Sequence, residues 1–138
     1  MGTTLLVPVV LWLCRVGLCL VFVYSGVTKL IDFRAGVAEQ KQFGMPFPAL
    51  FAVVTIAVQL GCPTLIFFFG GVPGAIGALT LAGFTMMATF VGHPFWRELG
   101  KDHFVDLNSF LEHFGMIAGF VLLALIDLNQ VPGLIAAH

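Results

Sequence analysis

The residues with the greatest scope for chemistry in this sequence are polar side chains set in or beside long apolar runs. If those runs cross a bilayer, each ionisable side chain costs roughly 2.5–3.5 kcal/mol on insertion scales and needs a partner or a route to water. None of these residues belongs to a catalytic motif, so we assign none a catalytic role and treat them as ligand or polar-core candidates. They are Arg15, Lys29, Gln59, His93, Glu112 and His113.

Lys29 and Glu112 are predicted to lie at similar depths. Lys29 is about two residues (~3 Å) and Glu112 about five residues (~8 Å) inside the same end of their apolar runs. A lysine side chain is long enough to bridge that difference, which predicts an ion pair between them. An equally good alternative is that Lys29 extends to the lipid headgroups and needs no partner.

Arg15 has two candidate surroundings. It could turn inward, to Gln59 and to the backbone carbonyl that Pro63 leaves without a hydrogen bond. It could instead turn outward, to water or to Asp127. The outward alternative is slightly favoured, because neither an amide nor a carbonyl cancels the charge. The inward alternative predicts a pocket bordered by Arg15, Gln59 and His113, roughly 15 Å long, for a quinone head or a small anion.

Three histidines and several acids approach the same end of the apolar runs. They are His93, His103 and His113, with Asp102, Asp106 and Glu112. The histidines are spaced ten residues apart and lack the short H-x-x-x-H or E-x-x-H spacing of metal ligands, so we assign no metal site. Histidines that simply hydrogen-bond at a membrane surface are commoner. A buried His113 beside Glu112 could also accept protons from a reduced quinol.

The composition indicates a membrane protein. Of 138 residues, 59% are apolar and 9% are charged, and the mean hydropathy is +1.06. Soluble domains carry about a quarter charged residues, so this chain could not coat a water-facing surface. The formal net charge of −1 gives no basis for nucleic-acid binding. Cys14, Cys19 and Cys62 lie in apolar runs without a C-x-x-C pair, which is typical of buried, inert thiols.

Four apolar runs are long enough to cross a bilayer about 30 Å thick as helices. We predict an all-α fold, an integral membrane antiparallel four-helix bundle forming a single transmembrane domain over residues 1–138. The predicted spans are residues 9–31, 49–69, 75–91 and 107–126. Two stripes are predicted to face the bundle interior: Arg15, Cys19, Phe22, Gly26 and Lys29 on the first span, and Asn108, Glu112, Gly115 and Gly119 on the fourth.

The connections between the spans predict an orientation. Residues 70–74 form a short turn, whereas residues 32–48 and 92–106 form longer loops that carry the charges and lie on one side. Five of the six basic residues lie on or beside that side: Lys29, Arg34, Lys41, Arg97 and Lys101. The positive-inside rule therefore places both charged loops in the cytoplasm and both termini outside.

Several short motifs, taken in order, resemble the DoxX family of four-helix bacterial membrane proteins, over almost the whole chain. They are Arg15 and Ser25-Gly26-Val27-Thr28-Lys29-Leu30 in the first span, Phe43-Gly44-Met45-Pro46 in the first loop, Gly61 in the second span, His93 with Phe95-Trp96 after the third, and Phe110-Leu111-Glu112-His113-Phe114-Gly115 leading into Gly119-Phe120-Val121-Leu122-Leu123 in the fourth. Two departures matter. Gln59 stands where the family often has Glu, and Glu112-His113 where it often has Lys-Asn.

The resemblance implies a bacterial inner-membrane protein beside membrane redox or sulfur metabolism, like the small subunit of thiosulfate:quinone oxidoreductase. The sequence has no haem motif, nucleotide fingerprint or paired cysteines, so an oxidoreductase role would be that of a subunit that binds quinone or anchors a catalytic partner. The expected partners are the bilayer and other membrane proteins or further copies of the chain. The alternatives are a purely structural or assembly subunit and, less favoured, a small-molecule carrier.

Overall fold

The computed structural model describes residues 2–97 and 101–129, which are almost entirely helical. Within these ranges five α-helices follow in order: α1 (Gly2–Ile31), α2 (Phe33–Gln42), α3 (Pro48–Phe68), α4 (Gly71–Gly92) and α5 (Lys101–Asp127). A short 3₁₀ turn at Phe95–Arg97 precedes α5. Within the described ranges there is no strand.

Four of these helices, α1, α3, α4 and α5, are long and apolar enough to cross a membrane. Lipid offers the backbone no hydrogen-bond partners, so a spanning segment must satisfy its own polar groups as a helix does. Many large apolar side chains on the outer faces are exposed, including Leu20, Leu30 and Phe68. Such a surface is suited to lipid and not to water, and it confirms the predicted all-α membrane fold.

Helix α2 lies within residues 32–48, where the sequence predicts a loop, so that prediction is wrong. Asp32 begins it as an N-cap, its Oδ1 accepting a hydrogen bond of 3.0 Å from the backbone N–H of Ala35. The helix buries Gly36 and Gln40, exposes Arg34 and Lys41, and directs Glu39 toward α1. The chain then turns into α3 through a left-handed Phe47 with φ of 54°. The Asp32 cap was the local signal for this helix.

The register of α1 against α3 explains where α2 fits. Gly26 of α1 packs against Leu60 and Gln59 of α3. From that contact α3 continues about six residues, or ~9 Å, further than α1 toward the end of the bundle that carries the charged connections. We call this the charged end. Helix α2 follows directly after α1 and covers the space there.

The core is built from small and apolar residues where α4 packs between α3 and α5. It contains Cys19, Phe22, Cys62, Ile66, Ala75, Ala78, Leu81, Ala82, Phe120, Leu123 and Ala124. Gly77 allows α3 and α4 to approach closely, because a Cβ there would lie 2.7 Å from the carbonyl oxygen of Cys62. Small residues at such contacts are the usual means by which membrane helices pack tightly.

The interior stripe predicted for the fourth span is wrong in its main members. Asn108, Glu112 and Gly115 are exposed, and of that stripe only Gly119 meets α1, against Leu18. The inward face of α5 instead carries residues such as His113, Phe120 and Ala124, which recur at helical spacing. In the first span, Cys19, Phe22 and Gly26 are buried as expected, whereas Cys14 is exposed.

Candidate functional site

Lys29 pairs with α2 and not with Glu112, so that predicted ion pair is wrong. Its ammonium lies 2.9 Å from Glu39 Oε2 and donates a 2.6 Å hydrogen bond to Ser25 Oγ. The reason is the unpredicted helix, which brings Glu39 over the end of α1. Glu112 is exposed on α5 and accepts a 2.5 Å hydrogen bond from Asn108 Nδ2, one turn earlier.

Arg15 follows the outward alternative. Its guanidinium forms an ion pair with Asp127 at the last residue of α5, far along the bundle from the charged end. The Asp127 side chain is only 3% exposed and the Arg15 side chain 26%. A carboxylate cancels the charge, which Gln59 could not. Arg15 is therefore not part of a shared pocket with Gln59 and His113, and the three-residue pocket is wrong in that member.

Gln59 and His113 do share a cavity. One cavity of about 180 Å³ lies between α2, α3 and α4, and a second of about 170 Å³ lies between α1, α4 and α5. The two have four wall residues in common, Gln59, Phe84, Ala88 and His113. We call the pair the Gln59–His113 cavity. The unforeseen α2 contributes Glu39 and Gln40 to its wall at the charged end.

Two polar atoms at this cavity are buried without a hydrogen-bond partner among the described residues. They are Gln59 Oε1 and His113 Nδ1. Gln59 is 6% exposed, so its amide has little access to bulk solvent. A buried polar atom left unpaired costs about 1–3 kcal/mol, and one that persists calls for an explanation. A hydrogen-bonding molecule held in the cavity supplies one.

The remaining candidate, His93, connects the cavity with the start of α5. Its Nδ1 lies 3.3 Å from Asp106 Oδ1, and its ring centroid lies 5.0 Å from that of His113. His103 is directed elsewhere, with Nδ1 2.8 Å from the Phe95 carbonyl oxygen. Among the side chains that the structure describes, no three His, Cys, Asp or Glu residues are grouped to hold a metal ion. Asp102 lies outside the described side chains.

Sequence reasoning missed Glu39 and Asp106 as partners. Depth along a span indicates which residues share a level, but it does not give the rotation of a helix about its axis. Asp106 lies seven residues before His113, which is two helical turns and therefore the same face of α5. That spacing was the available signal for the Asp106–His93–His113 group.

The fold and this arrangement define a small helical integral membrane protein with a largely apolar cavity near its charged end, whose wall includes the buried polar atoms of Gln59 and His113. A family model described as DoxX matches residues 10–94. Because the match covers more than half of the chain, the protein belongs to the DoxX family. The chain is also 25% identical over 118 residues to the inner membrane protein YphA of Escherichia coli (strain K12), covering 86% of this chain and 83% of the relative. No solved structure gives a significant match.

Proposed function

We propose that this protein is an accessory or anchoring subunit of a quinone-linked membrane redox system, and that the Gln59–His113 cavity holds the quinone head. The observation that carries the proposal is the pair of buried, unpartnered polar atoms, Gln59 Oε1 and His113 Nδ1, at a cavity inside an otherwise apolar bundle. The similarity to an inner membrane protein supports placement in the bacterial inner membrane.

The chemistry of the wall suits a quinone head. Such a head is a flat apolar ring with two oxygens, which accept hydrogen bonds in the oxidised form and donate them in the reduced form. Gln59 offers both an acceptor and an amide donor, and the His113 ring offers either, depending on its tautomer. Apolar walls such as Phe84 and Ala88 complete the lining for the ring. When bound, a quinone supplies two-electron, two-proton redox chemistry.

The partner in this proposal carries the electron-transfer group, and the outer face of α5 offers it a contact. Glu112 is an exposed carboxylate within a helix of spanning length, hydrogen-bonded only to Asn108 among the described residues. Intramembrane acids usually face protein or water and not lipid. Gly115, exposed on the same face, leaves room for a neighbouring helix. A purely structural subunit would use this face equally, and the quinone test separates the two.

Replacing Gln59 with leucine is expected to weaken quinone binding about tenfold or more, because one hydrogen bond to the head is lost and leucine keeps the apolar volume. Binding of a short-chain benzoquinone to the detergent-purified protein, measured by equilibrium dialysis, checks this. Gln42→Leu is the matched control, since Gln42 is exposed at the end of α2 and does not line the cavity. Circular dichroism verifies that both variants stay folded.

If the wild-type protein binds no quinone, or if both leucine variants bind it equally well, the quinone proposal fails. The structural or assembly role would then be the better account of the protein.

The orientation proposal is tested separately. With both charged loops in the cytoplasm, the carboxyl terminus faces outward. A reporter that fluoresces only in the cytoplasm should therefore stay dark when fused after His138, and become bright when the fusion follows Gln42. Immunoblotting of both fusions controls for expression. The reverse pattern would invert the orientation and leave the four helices unchanged.

A further inference from the structure

We propose that Asp106, His93 and His113 form a proton path between the aqueous phase at the charged end and the Gln59–His113 cavity. The three residues come from the start of α5, the end of α4 and the inner face of α5. Their use in quinone chemistry rests on the proposed function. Their capacity to move protons is a property of this chain and can be measured without quinone.

The outer step of the path is the contact between Asp106 and His93. The two side chains are 3.3 Å apart between Oδ1 and Nδ1, and the Asp106 side chain is 23% exposed. An ionised carboxylate only accepts hydrogen bonds, so it favours a proton on His93 Nδ1 and leaves His93 Nε2 as the exchanging nitrogen. Asp106 therefore orients the imidazole, and both side chains, His93 at 30% and Asp106 at 23% exposed, reach water at the charged end.

The inner step runs between the two imidazoles, which lie close together without a direct hydrogen bond, so a water molecule in the cavity must carry the proton between them. The ring centroids of His93 and His113 are 5.0 Å apart, and both rings line the larger cavity. His113 Nδ1 is buried and has no protein partner among the described residues. A histidine that served only to brace the bundle would have its ring nitrogens bonded to protein groups. An unpaired nitrogen at a cavity wall is instead available to take up or release a proton there.

Each transfer along this path balances by itself. A proton leaves one donor atom as it binds the next acceptor, so at each step one N–H or O–H bond breaks while another N–H or O–H bond forms. A proton released in the cavity passes to His113, then to His93, then to Asp106 and to water, and the reverse order delivers one. Imidazole suits such a relay because it can accept at one nitrogen and donate at the other near neutral pH.

The other charged groups near the two rings are either paired with other residues or exposed, so they do not form part of this path. Helices α3 and α4 contain no Asp, Glu, Lys, Arg or His within Pro48–Phe68 and Gly71–Gly92. Glu39 of α2 lines the cavity but is paired with Lys29 of α1. Three further groups are directed elsewhere or exposed: Glu112 on α5, Arg97 in the 3₁₀ turn and His103, which meets the Phe95 carbonyl.

Nuclear magnetic resonance of the full chain in detergent micelles, with ¹⁵N-labelled histidine, tests the path. In the wild-type protein we expect the ¹⁵N shifts of His93 to show a proton on Nδ1, and proton exchange at His113 to be measurable. In Asp106→Asn we expect His93 to lose its preference for a proton on Nδ1 and proton exchange at His113 to slow by about tenfold or more. Asp106→Glu should restore both signals.

Asp32→Asn is the matched control, because it makes the same chemical change at the charged end and asparagine remains a good N-cap for α2. It should leave both histidines unchanged. If Asp106→Asn fails to fold, His93→Gln gives the same readout on His113. Unaltered exchange at His113 in a folded Asp106 or His93 variant would overturn the path. Because no quinone is present, this result is independent of the quinone-binding test.

Discussion

Asp127→Ala is expected to lower the free energy of unfolding by about 3 kcal/mol, the largest loss we expect from a single side chain here. The substitution leaves the Arg15 guanidinium inside the bundle without its carboxylate. Breaking a buried pair costs about 3–5 kcal/mol, and the lower end applies because a quarter of the Arg15 side chain is not covered by the bundle. Unfolding in mixed detergent micelles, followed by circular dichroism, measures the change.

Adding Arg15→Met to this variant should recover most of the loss, because the double variant buries neither charge. Glu112→Ala provides the contrast. Glu112 and Asn108 are both exposed, so removing the hydrogen bond between them should cost no more than about 1 kcal/mol. Equal losses for Asp127→Ala and Glu112→Ala, or a double variant no more stable than Asp127→Ala, would show that Arg15 and Asp127 do not stabilise the bundle as a buried pair.

Most of the fold could be predicted from the sequence because a bilayer permits few backbone structures in a segment that crosses it. A long apolar run with few charges must form a helix, and its length fixes the number of crossings. Helix α2 was missed because it is neither long nor apolar, so hydropathy gives no signal for it. Its indications are the Asp32 cap and the four-residue spacing between Gly36 and Gln40, the two residues that the helix buries. Short interfacial helices depend on such local details.

A contact at the site could be predicted from the sequence only where a residue needed one particular kind of partner. Asp127 could be named as an outward partner for Arg15, because a buried cation needs an anion and few acids are available. Lys29 was assigned the wrong acid because depth along a helix does not fix its rotation. Glu112 has a suitable depth but lies on the outer face of α5, whereas Glu39 lies on a helix that the sequence pattern did not reveal.

For Gln59 and His113, the sequence identified the residues but could not show that they share a cavity. Both residues were candidates because polar groups are rare in these spans, and that reasoning does not depend on geometry. Their shared cavity depends on the turn of α5 that directs His113 inward, and on α2 closing one side. The cavity is therefore a product of packing between helices. Sequence alone could nominate its residues but could not separate them from Arg15.

Gly77→Ala is expected to separate α3 from α4 and to lower the free energy of unfolding by about 1–3 kcal/mol. The added Cβ would lie 2.7 Å from the carbonyl oxygen of Cys62 and 3.2 Å from Leu65 Cβ. The first contact is with backbone, so it cannot be relieved by a rotamer change and the helices must move apart. The same unfolding assay in mixed micelles measures the loss.

Gly83→Ala is the control for this prediction because it makes the same change on the same helix. No atom lies within 4 Å of a Cβ built at Gly83, so alanine there should stabilise α4 by about 0.5–1 kcal/mol through its lower conformational entropy in the unfolded chain. The two alanine variants should thus shift stability in opposite directions. If Gly77→Ala were as stable as Gly83→Ala, α3 and α4 would not approach at Gly77 as closely as the packing around Cys62 requires, and the wall of the cavity that both helices build would have to be wider.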